Sequence, residues 1–145
     1  MSRATPQMRA FAEVLIVYET GRSPADGAMR PVDFPVFEKL RSPLEMLMGR
    51  GGFRALFSRA LALAGAEIPW LRTVHVNAAG ALAWEEELHP PLAPAQILEG
   101  RVVLLAQVLG MLVAFIGPGL TARLIGEIWP NIMRNELVFP QRRQK

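Results

Sequence analysis

Apolar positions along this chain recur at helical spacing in most segments, alternate in one, and run almost unbroken in another. From Met8 to Thr20, the positions Phe11, Leu15 and Tyr18 predict a short helix that ends at Gly21, although its inner run Val14–Tyr18 also suits a strand. Residues 21–35 hold Gly21, Pro24, Gly27, Pro31 and Pro35, and predict a flexible loop rather than a regular element. Ser42-Pro43-Leu44-Glu45 predicts a helix start: Ser42 as the cap, Pro43 at the first helical position, and Glu45 reaching back to the Ser42 amide. Gly49, Gly51 and Gly52 should end or kink that helix near Met48, since each costs about 1 kcal/mol inside a helix.

A second helix is expected from about Gly52 to Ala64. Phe53, Leu56, Phe57, Ala60, Leu61 and Ala64 form its apolar stripe, with Arg54, Ser58 and Arg59 off it. Gly65 is the expected stop, followed by Pro69. The period then changes. Val74 and Val76 alternate with Thr73, His75 and Asn77, and Leu82 and Trp84 follow across Ala78-Ala79-Gly80, which predicts a small β-hairpin over about residues 73–84. After Pro90, Pro91 and Pro94, a central apolar helix is expected over about 95–116, broken by Gly117-Pro118-Gly119. A last helix should run from about Leu120 to Trp129, and the basic tail 140–145 should be disordered.

These elements predict a mainly α single domain of 145 residues, with four or five helices, one hairpin, and helix 95–116 at its centre. Its expected core includes Phe53, Leu56, Phe57, Leu61, Leu105, Val108, Leu109, Leu112, Phe115 and Ile116, with Trp70 and Trp129 closing its edges. Hydrophobic residues make up 51% and charged residues 20%, which excludes disorder along the whole chain. No cysteine is present, so disulfides, thiol nucleophiles and thiolate metal sites are excluded. With only His75 and His89, an imidazole-rich metal centre is excluded too, and no cofactor is expected. No secretory signal is recognisable near Phe11–Tyr18, which makes a cytoplasmic location the expectation.

The net charge of +3 is mild, but it is unevenly distributed. Lys39 to Arg72 carries six basic residues against Glu45 and Glu67, whereas Gly80 to Gly100 carries Glu85, Glu86, Glu87 and Glu99 with no Lys or Arg. Solvated faces or intramolecular pairing account for this most simply; pairing between copies of the chain is the sharper alternative.

Three features could carry function. Residues 102–122 are 21 consecutive uncharged positions, long enough to cross a bilayer. Against a span stand the Gly-Pro-Gly break, Gln107 in its middle, the lack of aromatic belts, and unbiased flanking charge, so a buried core helix is preferred. Within it Ala106, Gly110 and Ala114 lie four apart and form a possible association ridge, on helix 52–64 or on a second copy. Lastly, Arg50, Gly51, Gly52 and Arg54 offer a weak anion site at a helix start, without the spacing or preceding strand of a phosphate loop.

Nucleic acid is an unfavoured partner. The Arg50, Arg54, Arg59 face has no Asn, Gln or Lys to read bases. His75, His89, Asp26, Asp33 and Glu85–Glu87 form no catalytic constellation by spacing. The expectation is a non-enzymatic helical interaction module, self-associating or a small subunit of a larger assembly. The alternative is a membrane-associated protein using 102–122, and an anion- or phosphate-binding enzyme is third.

Overall fold

The structure is a computed structural model and describes residues 5–22, 35–77, 82–83 and 92–130. It is mainly α, with three helices packed together and a two-strand antiparallel bridge. In chain order these are α1 (Pro6–Arg22), α2 (Pro35–Glu67), a 3-10 turn (Pro69–Thr73), β1 (His75–Val76), β2 (Leu82–Ala83) and α3 (Pro94–Ile128).

Helix α1 starts where its chemistry allows. The Thr5 hydroxyl accepts the Met8 amide at 3.1 Å, and Pro6 occupies the first turn, where no amide is needed. Met8, Phe11, Ala12, Leu15 and Ile16 are buried along one face, whereas Val14 and Val17 point outward. Gly21 and Arg22 still belong to this helix.

Helix α2 corrects the expected start at Ser42-Pro43. It begins at Pro35, so Pro43 sits inside it, Ser42 is exposed, and Glu45 pairs with Arg41 at 3.5 Å rather than with the Ser42 amide. The reason is burial. Val36, Phe37, Leu40 and Leu44 make one apolar stripe across the proline, and covering them outweighs the hydrogen bond that Pro43 cannot donate to Lys39.

The glycine cluster does act as expected. Gly49 has φ 80° and ψ 164°, which ends one helical arm and starts another. The two arms fold back on each other. Along a straight helix Phe37 and Phe53 would stand about 24 Å apart. Their rings lie 5.7 Å apart, and Phe37 meets Phe57 edge-on at 4.3 Å. The second arm runs through the expected stop at Gly65 to Glu67, and Arg72 of the following turn packs against Gly65.

The predicted hairpin is present in its described part as a short bridge, with His75 opposite Ala83 and Val76 opposite Leu82. Val74 and Val76 are buried and His75 is exposed, which is the alternation its residues imply. The turn at Ala78–Ala81 and Trp84 lie outside the described residues, as do most of the loop 21–35, Glu85–Glu87, His89, Asp26, Asp33 and the tail 140–145.

Helix α3 opens with Pro94, and the Gln96 side chain accepts the Ala93 amide at 2.8 Å. It is interrupted at Gly117, with φ 89° and ψ 158°, before its last segment reaches Ile128. All seven residues from Val103 to Leu109 are buried, a helix wrapped on every side by α1 and α2. Of the expected core, Phe53, Leu56, Phe57, Leu61, Leu105, Val108, Leu109 and Leu112 are buried. Phe115 is not: it is 69% exposed, and Ile116 is half-buried. Apolar character continues all round the helix past Leu112, but cover continues on one face only, at Thr121, Ile125 and Trp129.

The edges close as expected. Trp129 is buried, and Trp70 lies half-buried over Gly100, its Nε1 donating to the Gln96 carbonyl at 3.2 Å.

Candidate functional site

Two polar groups tie the helices together from inside. The Glu19 carboxylate is buried and accepts hydrogen bonds from the Trp129 indole at 2.6 Å and from Lys39 at 2.8 Å. Glu67 receives the Gln107 amide at 3.3 Å and pairs with Arg9 at 3.5 Å. Each carboxylate joins three elements or arms, and both have their charge answered. These are clasps between helices. None of the sequence signals singled out Glu19, Lys39, Trp129 and Glu67 as partners, because the pairs are separated by 20, 110 and 40 residues. Arg101 is buried on the same central helix.

The Gly49–Arg54 turn stands at the start of the second arm of α2. Gly49, Arg50, Gly51 and Arg54 are exposed, and nothing lies within 4 Å of a side chain added at Gly49 or Gly51. Gly52 alone is covered, by Met48, whose Cβ lies 3.1 Å from where a Cβ would be. The turn presents its cations to solvent, with open space at Gly49 and Gly51.

The ridge of small residues is divided by the fold. Ala106 is buried, whereas Gly110 and Ala114 are exposed, and Gly110 has no neighbouring atom within 4 Å of an added Cβ. Gly110 therefore does not pack on the second arm of α2, and Ala62 of that arm is exposed as well. What the structure brings together instead is an exposed apolar face in the middle of α3: Gly110, Ala114, Phe115, Gly119 and Leu120 are all exposed. Leaving a phenylalanine in water forgoes about 1.5–3 kcal/mol of burial.

Among the described residues, no group of three or more His, Asp or Glu side chains could hold a metal ion. No known protein family, characterised protein or solved structure matches this chain.

Proposed function

We propose that this chain is a non-enzymatic helical interaction module that associates, with itself or as a small subunit of a larger assembly, through the exposed face of α3 between Gly110 and Leu120. One observation carries the reading. The helix is covered on all sides from Val103 to Leu109, then keeps its apolar composition while one face, at Gly110, Ala114, Phe115, Gly119 and Leu120, loses its cover, with Phe115 69% exposed. Contiguous apolar surface of this kind marks association sites, because its burial is left for a partner to complete. Gly110 and Ala114 add a low profile on which a second backbone can approach closely. The test is sedimentation velocity of the wild-type chain beside Phe115→Ser. The expected result is an associating wild type and a variant of lower mass with unchanged helix content. Equal sedimentation of the two would overturn the reading.

A second reading, membrane association through 102–122, draws on a different property of the same helix. α3 has 35 residues, its most apolar window has a mean hydropathy of 2.1, and 44% of that window is buried. If its Gly117 bend straightened, it would span about 52 Å, more than the ~30 Å bilayer core requires. Flotation with lipid vesicles separates the two readings: the interaction module stays at the bottom of the gradient and a membrane protein rises with the lipid.

A further inference from the structure

The second arm of α2, the 3-10 turn and β1 border an open groove of about 320 Å³. That volume is at the small end of the range of ligand sites, roughly 300–1,000 Å³. Its floor is apolar, with Leu61, Leu71 and Val76 all buried in the core behind it. Among the described residues its polar lining comes from Ser58, Arg72 and His75, each of them exposed, and includes no carboxylate.

Arg72 is held in an unusual way. Its Nε donates to the Gly65 carbonyl at 3.0 Å, and its Cγ would lie 3.0 Å from a Cβ at position 65. The missing side chain of Gly65 is what lets the Arg72 stem lie flat on the end of α2. Among the described residues Arg72 has no ion-pair partner, so the two terminal nitrogens of a guanidinium already fixed through its Nε are left as donors. A planar guanidinium fixed in this way matches a carboxylate with two parallel hydrogen bonds, and loses little side-chain freedom in making them.

We infer that this groove binds a small organic acid, its carboxylate on Arg72 between the Ser58 hydroxyl and the His75 ring, and its hydrocarbon on Leu61, Leu71 and Val76. Charge selects the occupant: a cation with no acidic neighbour among the described lining residues, beside an apolar floor, answers an anion with an apolar body. A single guanidinium meets one carboxylate with two parallel hydrogen bonds, and the apolar floor beside it favours an acid with a hydrocarbon body over inorganic phosphate. This site is independent of the exposed face of α3 and does not rest on self-association.

The test is a titration of the ¹⁵N-labelled chain with hexanoate and, in parallel, with uncharged hexanamide, followed through the backbone amides. Hexanoate is expected to shift the amides of Ser58, Ala62, Arg72 and His75 saturably, and to bind at least fivefold more tightly than hexanamide. Arg72→Gln should weaken hexanoate about tenfold, and Arg72→Lys should not restore it, because lysine keeps the charge and loses the planar fork. Ala62→Phe, at an exposed position of the lining, should block binding with Arg72 intact. The inference is overturned if these amides do not move, if hexanamide binds as well as hexanoate, if Arg72→Gln keeps wild-type affinity, or if the shifts centre on Phe115.

Discussion

Trp129 and Glu19 lie 110 residues apart in sequence and share a hydrogen bond of 2.6 Å, with Lys39 on the same carboxylate oxygen at 2.8 Å. One buried carboxylate thus fixes the end of α3 against α1 and the first arm of α2. Removing it leaves the Trp129 indole N–H without an acceptor in a buried site. Glu19→Ala should lower the unfolding free energy by about 2–3 kcal/mol, as hydrogen bonds to buried charges do. Trp129→Phe removes only one of the two bonds and should cost about 1–2 kcal/mol by that measure. Denaturant unfolding of the single and double variants checks both values. The double variant should cost less than the sum, because the two residues share one interaction.

Gly117 sits at φ 89° and ψ 158°, a region that residues with a side chain rarely occupy. Nothing lies within 4 Å of an added Cβ there, so any penalty belongs to the backbone. Gly117→Ala should destabilise the fold by about 1–3 kcal/mol. Gly119, two residues on, also faces open space and has no such backbone, so Gly119→Ala should be neutral or stabilising by up to about 1 kcal/mol. Thermal unfolding of the pair separates the bend from its neighbourhood.

Gly100 and Gly110 occupy the same helix and should respond in opposite senses. A methyl group at Gly100 would overlap the Trp70 indole, so Gly100→Ala must displace that ring and should cost about 1–3 kcal/mol. Gly110 meets nothing, so Gly110→Leu should leave the isolated fold as stable or raise it by up to about 1 kcal/mol through helix propensity. The same substitution should weaken association by filling the low surface beside Ala114. Circular dichroism melts and sedimentation of both variants give the two halves of this comparison.

Pro43 lies within the first arm of α2, where it deprives the Lys39 carbonyl of its helical partner. Pro43→Ala restores the donor and should raise stability by about 1–3 kcal/mol, read from the denaturation midpoint. Loss of stability would mean that the proline bends the arm usefully towards Phe53 and Phe57.

Much of this fold is legible in the residues because burial and backbone freedom are local in origin. The stripe from Phe53 to Ala64, the unbroken run from Val102, and the glycines at 49 and 117 each act within a few residues, and each appears where expected. Pro43 misleads because a capping pattern and an apolar stripe compete over the same residues, and only the packed structure shows which is worth more. Phe115 misleads for a related reason: apolar character says that a side chain should be covered, not that another helix reaches it. The fold-back of α2, with Phe37 on Phe57, depends on the chain direction after Gly49, which no periodicity records. Arg72 and Gly65 are seven residues apart across a helix end, a spacing that belongs to no motif, so the groove they shape is invisible before folding. The Gly49–Arg54 cluster shows the reverse, since its composition is suggestive and its Gly49 and Gly51 stand in open space.

The most direct test of the interaction module is the molar mass of the chain by light scattering, purified without detergent and measured beside Gly110→Leu. The account predicts a wild type at a defined multiple of 16.0 kDa and a variant shifted towards the single chain, both equally helical. A monodisperse wild-type monomer, or a variant of the same mass as the wild type, would contradict self-association through this face of α3.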